Sequence, residues 1–173
     1  MNSLEMLGQI YRHLEWADAA IWRAVLATPG AAADTDLRER LLHLHGTQHA
    51  FLGAWRERPF DRDAAKGMDF PALIRWTREF HHDAAAFVAS LHETDLDGTF
   101  VLPWASRYAA RAGRDAAPTT LRETIFQAAA HSHYHRAQVN TRLKQVGGTP
   151  AFVDFIAWVW MGKPPVEWPA ATA

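Results

Sequence analysis

The chain has 173 residues, no cysteine, ten histidines, and 18 Lys+Arg against 19 Asp+Glu. That length suits one domain, taken as residues 1–173, with a single core, and is short for two. The near-neutral charge, with no basic run or stripe, excludes the electrostatic footprint of a nucleic-acid binder, and the missing cysteines exclude disulfides, thiolate nucleophiles and thiolate metal sites.

Histidine and carboxylate are therefore the metal ligands on offer. The opening, Met1-Asn-Ser-Leu-Glu-Met6, lacks the basic patch and apolar run of a signal peptide. No window reaches the uninterrupted apolar length that spans a bilayer. The expectation is a cytoplasmic protein with no membrane partner.

In chain order, Leu4, Leu7, Tyr11, Leu14, Asp18, Ile21 and Val25 recur at spacings of three and four, the seam of a bundle helix that ends near Thr28-Pro29-Gly30. Asp18 is a charge on an otherwise apolar seam. Burying it alone would cost several kcal/mol, so an interhelix bond to an arginine or to a backbone group is expected, ahead of a role in orienting a ligand imidazole. Leu37, Leu41, Leu44, Phe51 and Trp55 give a second helix that stops around Pro59. The third begins where Asp69 caps and Pro71 fits the first turn, and continues through Leu73, Trp76, Phe80, Phe87 and Leu91. His81 and His82 on this helix are expected to face solvent.

From Thr94 to Ala117 the composition is glycine-containing and polar, with Thr99-Phe-Val-Leu-Pro103 and Ser106-Arg-Tyr-Ala109 as short extended pieces of a hairpin. Thr120 and Glu123 then form a capping box. Leu121, Ile125, Ala128, Ser132, His135, Val139, Leu143 and Val146 make the seam of the fourth long helix, closed by Gly147-Gly148. Phe152 to Trp160 reads as a short apolar terminal helix. The fold class is all-α: a four-helix bundle with a short C-terminal helix and a small hairpin before the fourth helix. Trp16, Trp76, Trp158 and Trp160 are read as core or interface anchors, and the aromatic-rich terminal helix points to a homodimer.

The chemistry lies in His131-Ser-His-Tyr-His135-Arg136-Ala-Gln138. Residues four apart stack on one helical face, so His131 and His135 can aim two imidazoles at one divalent ion. A tight site needs three or four donors. The likeliest source of the third is the other histidine-rich stretch, Leu41 to His49, facing the first pair across the bundle core. The competing reading is that a chain with ten histidines places some at this spacing by chance, as His45 and His49 also do. In that case they merely pack, with hydrogen bonds to both ring nitrogens.

His131-x-x-x-His135-Arg136-x-Gln138, followed by Leu143-Lys-Gln-Val-Gly147, resembles the fourth-helix motif H-x-x-x-H-R-G-Q of the DinB/YfiT-like proteins, with Ala137 in place of the common glycine. Leu42 to Gln48 with Phe51-Leu52 is similar to the family's second-helix histidine followed by an aromatic and leucine. Tyr11 to Asp18 is similar to its first-helix Y-x-x-W-A-[ND] pattern. The resemblance implies a four-helix bundle in which His43, His131 and His135 hold a divalent metal, nickel and zinc being among the family's metals. The helical wheel puts His45 nearer the Leu37–Leu44–Phe51 stripe than His43, so His45 stays open as the alternative ligand. Gln48 stands where many relatives carry an acidic residue, which removes a carboxylate there. Arg136 and Gln138 are assigned to surface or interhelix hydrogen bonds.

Three neutral imidazoles leave the full dication charge on the ion, so a bound water is acidified or a substrate thiolate is held as nucleophile. The resemblance implies the same range, since relatives include thiol-dependent isomerases and S-transferases. The expected function is a metal-dependent thiol S-transferase or hydrolase acting on a small molecule, with a low-molecular-weight thiol as partner. The alternative is a noncatalytic metal-binding or stress-related interaction module. Asp18, His45 and His133 are the candidate general bases, and spacing assigns none of them.

Overall fold

The structure, a computed structural model, describes residues 2–61 and 63–170. Four long helices dominate: α1 (Ser3–Leu26), α2 (Thr35–Trp55), α3 (Phe70–Ser90) and, after a short excursion, α5 (Leu121–Gln145). The excursion holds strand β1 (Thr99–Phe100), helix α4 (Ala105–Ala112) and strand β2 (Thr119–Thr120), and α6 (Phe155–Trp160) follows α5. Each long helix starts on a side-chain cap that satisfies otherwise orphaned N–H groups. Asn2 and Glu5 form a reciprocal capping box on α1, and Thr120 and Glu123 form another on α5. Asp34 and Asp69 accept from Leu37 N–H and Ala72 N–H.

The hairpin differs from the sequence expectation. β1 pairs antiparallel with β2, Thr99 opposite Thr120, whereas Ser106 to Ala109 lies inside α4. Ala105-Ser-Arg-Tyr-Ala-Ala-Arg-Ala112 is rich in alanine and arginine, whose helix propensity outweighs one tyrosine. The turn ends at Gly113, whose φ of 69° is left-handed. After α5 the chain passes close beneath the end of α1. A Cβ on Gly148 would collide with the Thr28 and Leu143 side chains, so only glycine permits this crossing.

α1 packs on α3 and α5, and α2 packs on α5 and α3, with α2–α5 the most extensive interface. The consecutive helices α1 and α2 therefore stand on a diagonal of the bundle. The core splits into two apolar clusters. One gathers Leu7, Tyr11, Leu14, Phe51, Trp55 and Phe80, and the other Ile21, Val25, Leu37, Leu41, Leu73 and Leu143.

Between the clusters lies a buried polar layer fed by every long helix: Asp18, His45 and Gln48, Thr77 and His81, and Ser132 and Arg136. Asp18 meets Arg136 Nη1 at 2.8 Å, His81 Nε2 at 3.0 Å and Gln48 Nε2 at 2.7 Å. The interhelix arginine expected for Asp18 is thus Arg136. His81 corrects the expectation of a solvent-facing pair: it follows Ile74 and Thr77 on the inward stripe of α3 and is 3 % exposed, while His82 faces out.

Trp158 of α6 packs beside Trp16 and Ala17, and Trp168 donates its indole N–H to Glu15 Oε1 at 3.0 Å. Trp16 and Trp158 are core residues, Trp76 stacks on His49 at 3.9 Å, and Trp160 is 79 % exposed. Among the described residues no helix is long and apolar enough to cross a membrane.

Candidate metal centre between α2 and α5

His131 and His135 lie one turn apart on α5, and His43 reaches them from α2 across the largest helix interface. His135 Nε2 is 3.2 Å from His43 Nε2 and 3.1 Å from His131 Nε2, and the three donor atoms all fall within 4.8 Å of one another. Metal–imidazole bonds of about 2.0–2.1 Å place two nitrogens about 2.9 Å apart at right angles and about 3.3 Å apart at the tetrahedral angle. The two spacings to His135 lie between those limits.

The protons point the same way. His135 Nδ1–H donates to Gln138 Oε1 at 2.8 Å, which leaves the His135 Nε2 lone pair facing the other two rings. One lone pair accepts one proton, so mutual hydrogen bonds cannot satisfy all three converging nitrogens. A shared cation can.

Burial pushes all three imidazoles below their ordinary range. His131 is lowered to about 4, by burial first and then by its histidine neighbours. For His135, burial is joined by the charge of His43 and opposed by the Gln138 hydrogen bond. Neutral imidazole is the ligand form. The set therefore fits a divalent ion, although His131 Nδ1 is buried without a hydrogen-bond partner among the described residues.

The centre sits at the solvent edge of the α2–α5 groove and not across the core. His43 is exposed, and His131 and His135 are half-buried. The sequence seam put His135 inward, but the inward positions are Ser132 and Arg136, at 1 % and 2 % exposure. The reason is Asp18, which neutralises Arg136 in the core and so rotates the neighbouring histidine to the flank.

His45 is fully buried and lies outside the cluster. Its Nε2 accepts from Trp22 Nε1–H at 3.1 Å and its Nδ1–H donates to Gln48 Oε1 at 2.9 Å, so neither ring nitrogen is free. Gln48 Nε2 also contacts Ser132 Oγ at 3.2 Å, and Ser132 donates to Ala128 O at 2.7 Å. Gln48 is thus a hub of the core layer, its hydrogen bonds going to His45, Asp18 and Ser132 and to none of the three imidazoles. Of the candidate bases, Asp18 and His45 are held in this layer, and His133 is exposed on another face of α5. The sequence reading missed His81 and Trp22 as members of the layer; the inward three/four spacing Ile74–Thr77–His81 was the available signal for His81.

Beside His43 opens a cleft of about 510 Å³ between α2 and two loops, one carrying Arg58, Pro59 and Phe60, the other Pro103 and Trp104. Leu42, Gly46, Thr47, Ala50 and Ala54 form its helical floor. Sequence periodicity had no means of finding it, because its walls come from loops.

Fold and site together define an all-α bundle whose second and fourth long helices bring three imidazoles to one point. The DinB family model matches residues 1–167, and the chain belongs to the DinB family. No curated protein and no solved structure matches it significantly.

Proposed function

We propose that this protein is a metal-dependent enzyme of small-molecule chemistry, a thiol S-transferase or hydrolase, in which His43, His131 and His135 hold nickel or zinc. The observation that carries the reading is the convergence of three neutral imidazole nitrogens beside an open cleft of about 510 Å³. A volume of this size suits a small ligand. A histidine-only donor set leaves positions for water or substrate, whereas closed structural sites use four protein ligands.

A bound divalent ion supplies Lewis-acid chemistry, lowering the pKa of a coordinated water or thiol. The protein's own groups prepare the site. Gln138 fixes the tautomer of His135, and burial keeps the three rings neutral. The Asp18–Arg136 pair anchors α5 one residue from His135. We further propose a cytoplasmic homodimer, with the exposed Trp160 and Ile156 of α6 at the interface.

The test is elemental mass spectrometry on tag-free protein purified without chelator, beside a His131→Ala/His135→Ala variant, followed by a screen of thiol-dependent transfer and hydrolysis. Near-stoichiometric metal that the variant lacks, with turnover in the screen, supports the proposal. No metal after incubation with nickel, zinc or manganese sinks it. Stoichiometric metal without turnover favours the noncatalytic module.

A further inference from the structure

The cleft beside His43 carries a recognition element of its own. Phe60 and Trp104 contribute aromatic rings to its walls, and Trp104 is fixed from behind by an edge-to-face contact with Phe51 at 5.1 Å. Among the described residues Arg58 is the only charged side chain that lines the cleft, and no carboxylate lines it. Arg58 makes no side-chain hydrogen bond or ion pair with any described residue, in contrast to Arg40, Arg56 and Arg142, which are each paired with aspartate.

The loop that presents Arg58 is held in place. Its N–H donates to Gly53 O at 2.8 Å, and Arg56 anchors the loop's start on Asp83 at 2.6 Å. A Cβ on Gly53 would lie 3.1 Å from the Arg58 carbonyl, so glycine there lets the loop close on α2. The wall is therefore preformed, which lowers the ordering cost of binding.

We infer that the cleft binds an anionic aromatic small molecule, with its ring between Phe60 and Trp104, its anionic group on Arg58, and its far end directed toward His43. An unpaired guanidinium beside aromatic faces favours that chemistry over a neutral or cationic ligand; Arg58 also borders an adjoining cleft with Asp61 and Asp83 but makes no ion pair with either. A dication held by three neutral ligands would add to the same preference. The inference rests on the metal-centre reading only for what the far end of the ligand meets.

The test compares 2-naphthalenesulfonate with the neutral methyl 2-naphthyl sulfone by isothermal titration calorimetry, on metal-free and nickel-incubated protein whose metal content is measured in parallel. Wild type should bind the sulfonate at least tenfold more tightly than the sulfone. Arg58→Gln should abolish that preference in metal-free protein and leave sulfone affinity unchanged. Gly46→Leu should weaken both probes. A Cβ at Gly46 meets only the rim of Phe60, at 3.9 Å, so the added side chain enters the cleft. Equal affinity for the two probes, a preference that survives in metal-free Arg58→Gln, or no binding at millimolar concentration overturns the inference. An Arg58-dependent preference in protein that takes up no nickel defeats the metal-centre proposal and leaves this one standing.

Discussion

Asp18 and Arg136 meet at 2.8 Å in the centre of the bundle, with side-chain exposures of 0 % and 2 %. Burial alone would raise the Asp18 carboxyl; the Arg136 charge and the hydrogen bond from His81 outweigh it and hold the group well below the usual carboxylate range. Removing one partner leaves the other charge buried and unpaired, at a cost of about 3–5 kcal/mol. Asp18→Asn and Arg136→Met should each lose stability on that scale in urea unfolding. The double variant should lose less than the sum of the two, since no lone charge remains. Additive losses in the double-mutant cycle would show that the pair is not coupled.

How much of this was legible in sequence follows from the range of each interaction. The caps at Asp69 and Thr120 and the His131–His135 pairing are local, and the chain states them within a turn. The choice of partner for Asp18 spans α1 to α5, and nothing near either residue announces it. A helical wheel reports angle relative to the apolar stripe and assumes that the stripe faces the core. Arg136 breaks that assumption, because a paired guanidinium can occupy a core position and displace His135 from the place the wheel assigns to it. His81 is the opposite case, since the spacing Ile74–Thr77–His81 already puts it on the inward stripe and only its polar side chain suggests solvent. His43 and His45 differ for the complementary reason: a solvent-edge centre selects the residue off the stripe, while the buried layer takes the one nearer to it.

Metal removal should lower thermal stability, because an ion bound only by the native state stabilises it by mass action. At a free concentration of about one hundred times Kd the gain is about 2.7 kcal/mol, or roughly 5–10 °C in Tm for a chain of this size. Chelator should reverse the shift in wild type and have no effect on His43→Ala or His131→Ala. Protons compete only where the rings titrate, and all three lie below the ordinary imidazole range, with His131 at about 4. Metal occupancy followed by equilibrium dialysis should therefore survive acidification to the ordinary imidazole value of about 6.5 and fall only below it. Loss of the ion already near pH 6.5 would contradict these depressed values.

Gln138 should control affinity without controlling the fold. Its Oε1 accepts from His135 Nδ1–H at 2.8 Å, and such partners of metal-binding imidazoles are typically worth 10–100-fold in affinity. Gln138→Ala should weaken nickel or zinc binding by about that factor while the metal-free Tm changes little, as the side chain is only half-buried. Gln138→Glu keeps the acceptor and adds charge, so it should restore or exceed wild-type affinity. If Gln138→Ala binds metal as wild type does, the tautomer is set by something else.

His13 provides a stability switch outside the His43–His131–His135 cluster. It is 5 % exposed, packs on Phe155 and donates to the Val153 carbonyl at 3.0 Å, tying α1 to the segment before α6. Burial, and then the positive charge of Arg136, lower it to about 4, against the partial opposition of the Val153 hydrogen bond. The unfolded chain takes up this proton near the ordinary value of about 6.5, and the folded chain only near 4. Between those values the unfolded state binds more protons, so stability falls as pH drops through the window and the full contribution is present above it. Metal-free protein should lose Tm steadily from pH 6.5 toward 4. His13→Gln retains an N–H donor for Val153 but cannot be protonated, so its curve should be flatter over that interval, as read by calorimetry at matched ionic strength. Parallel curves for the two proteins would assign the acid sensitivity to other groups, of which His49, also lowered to about 4 by burial, is the first to substitute.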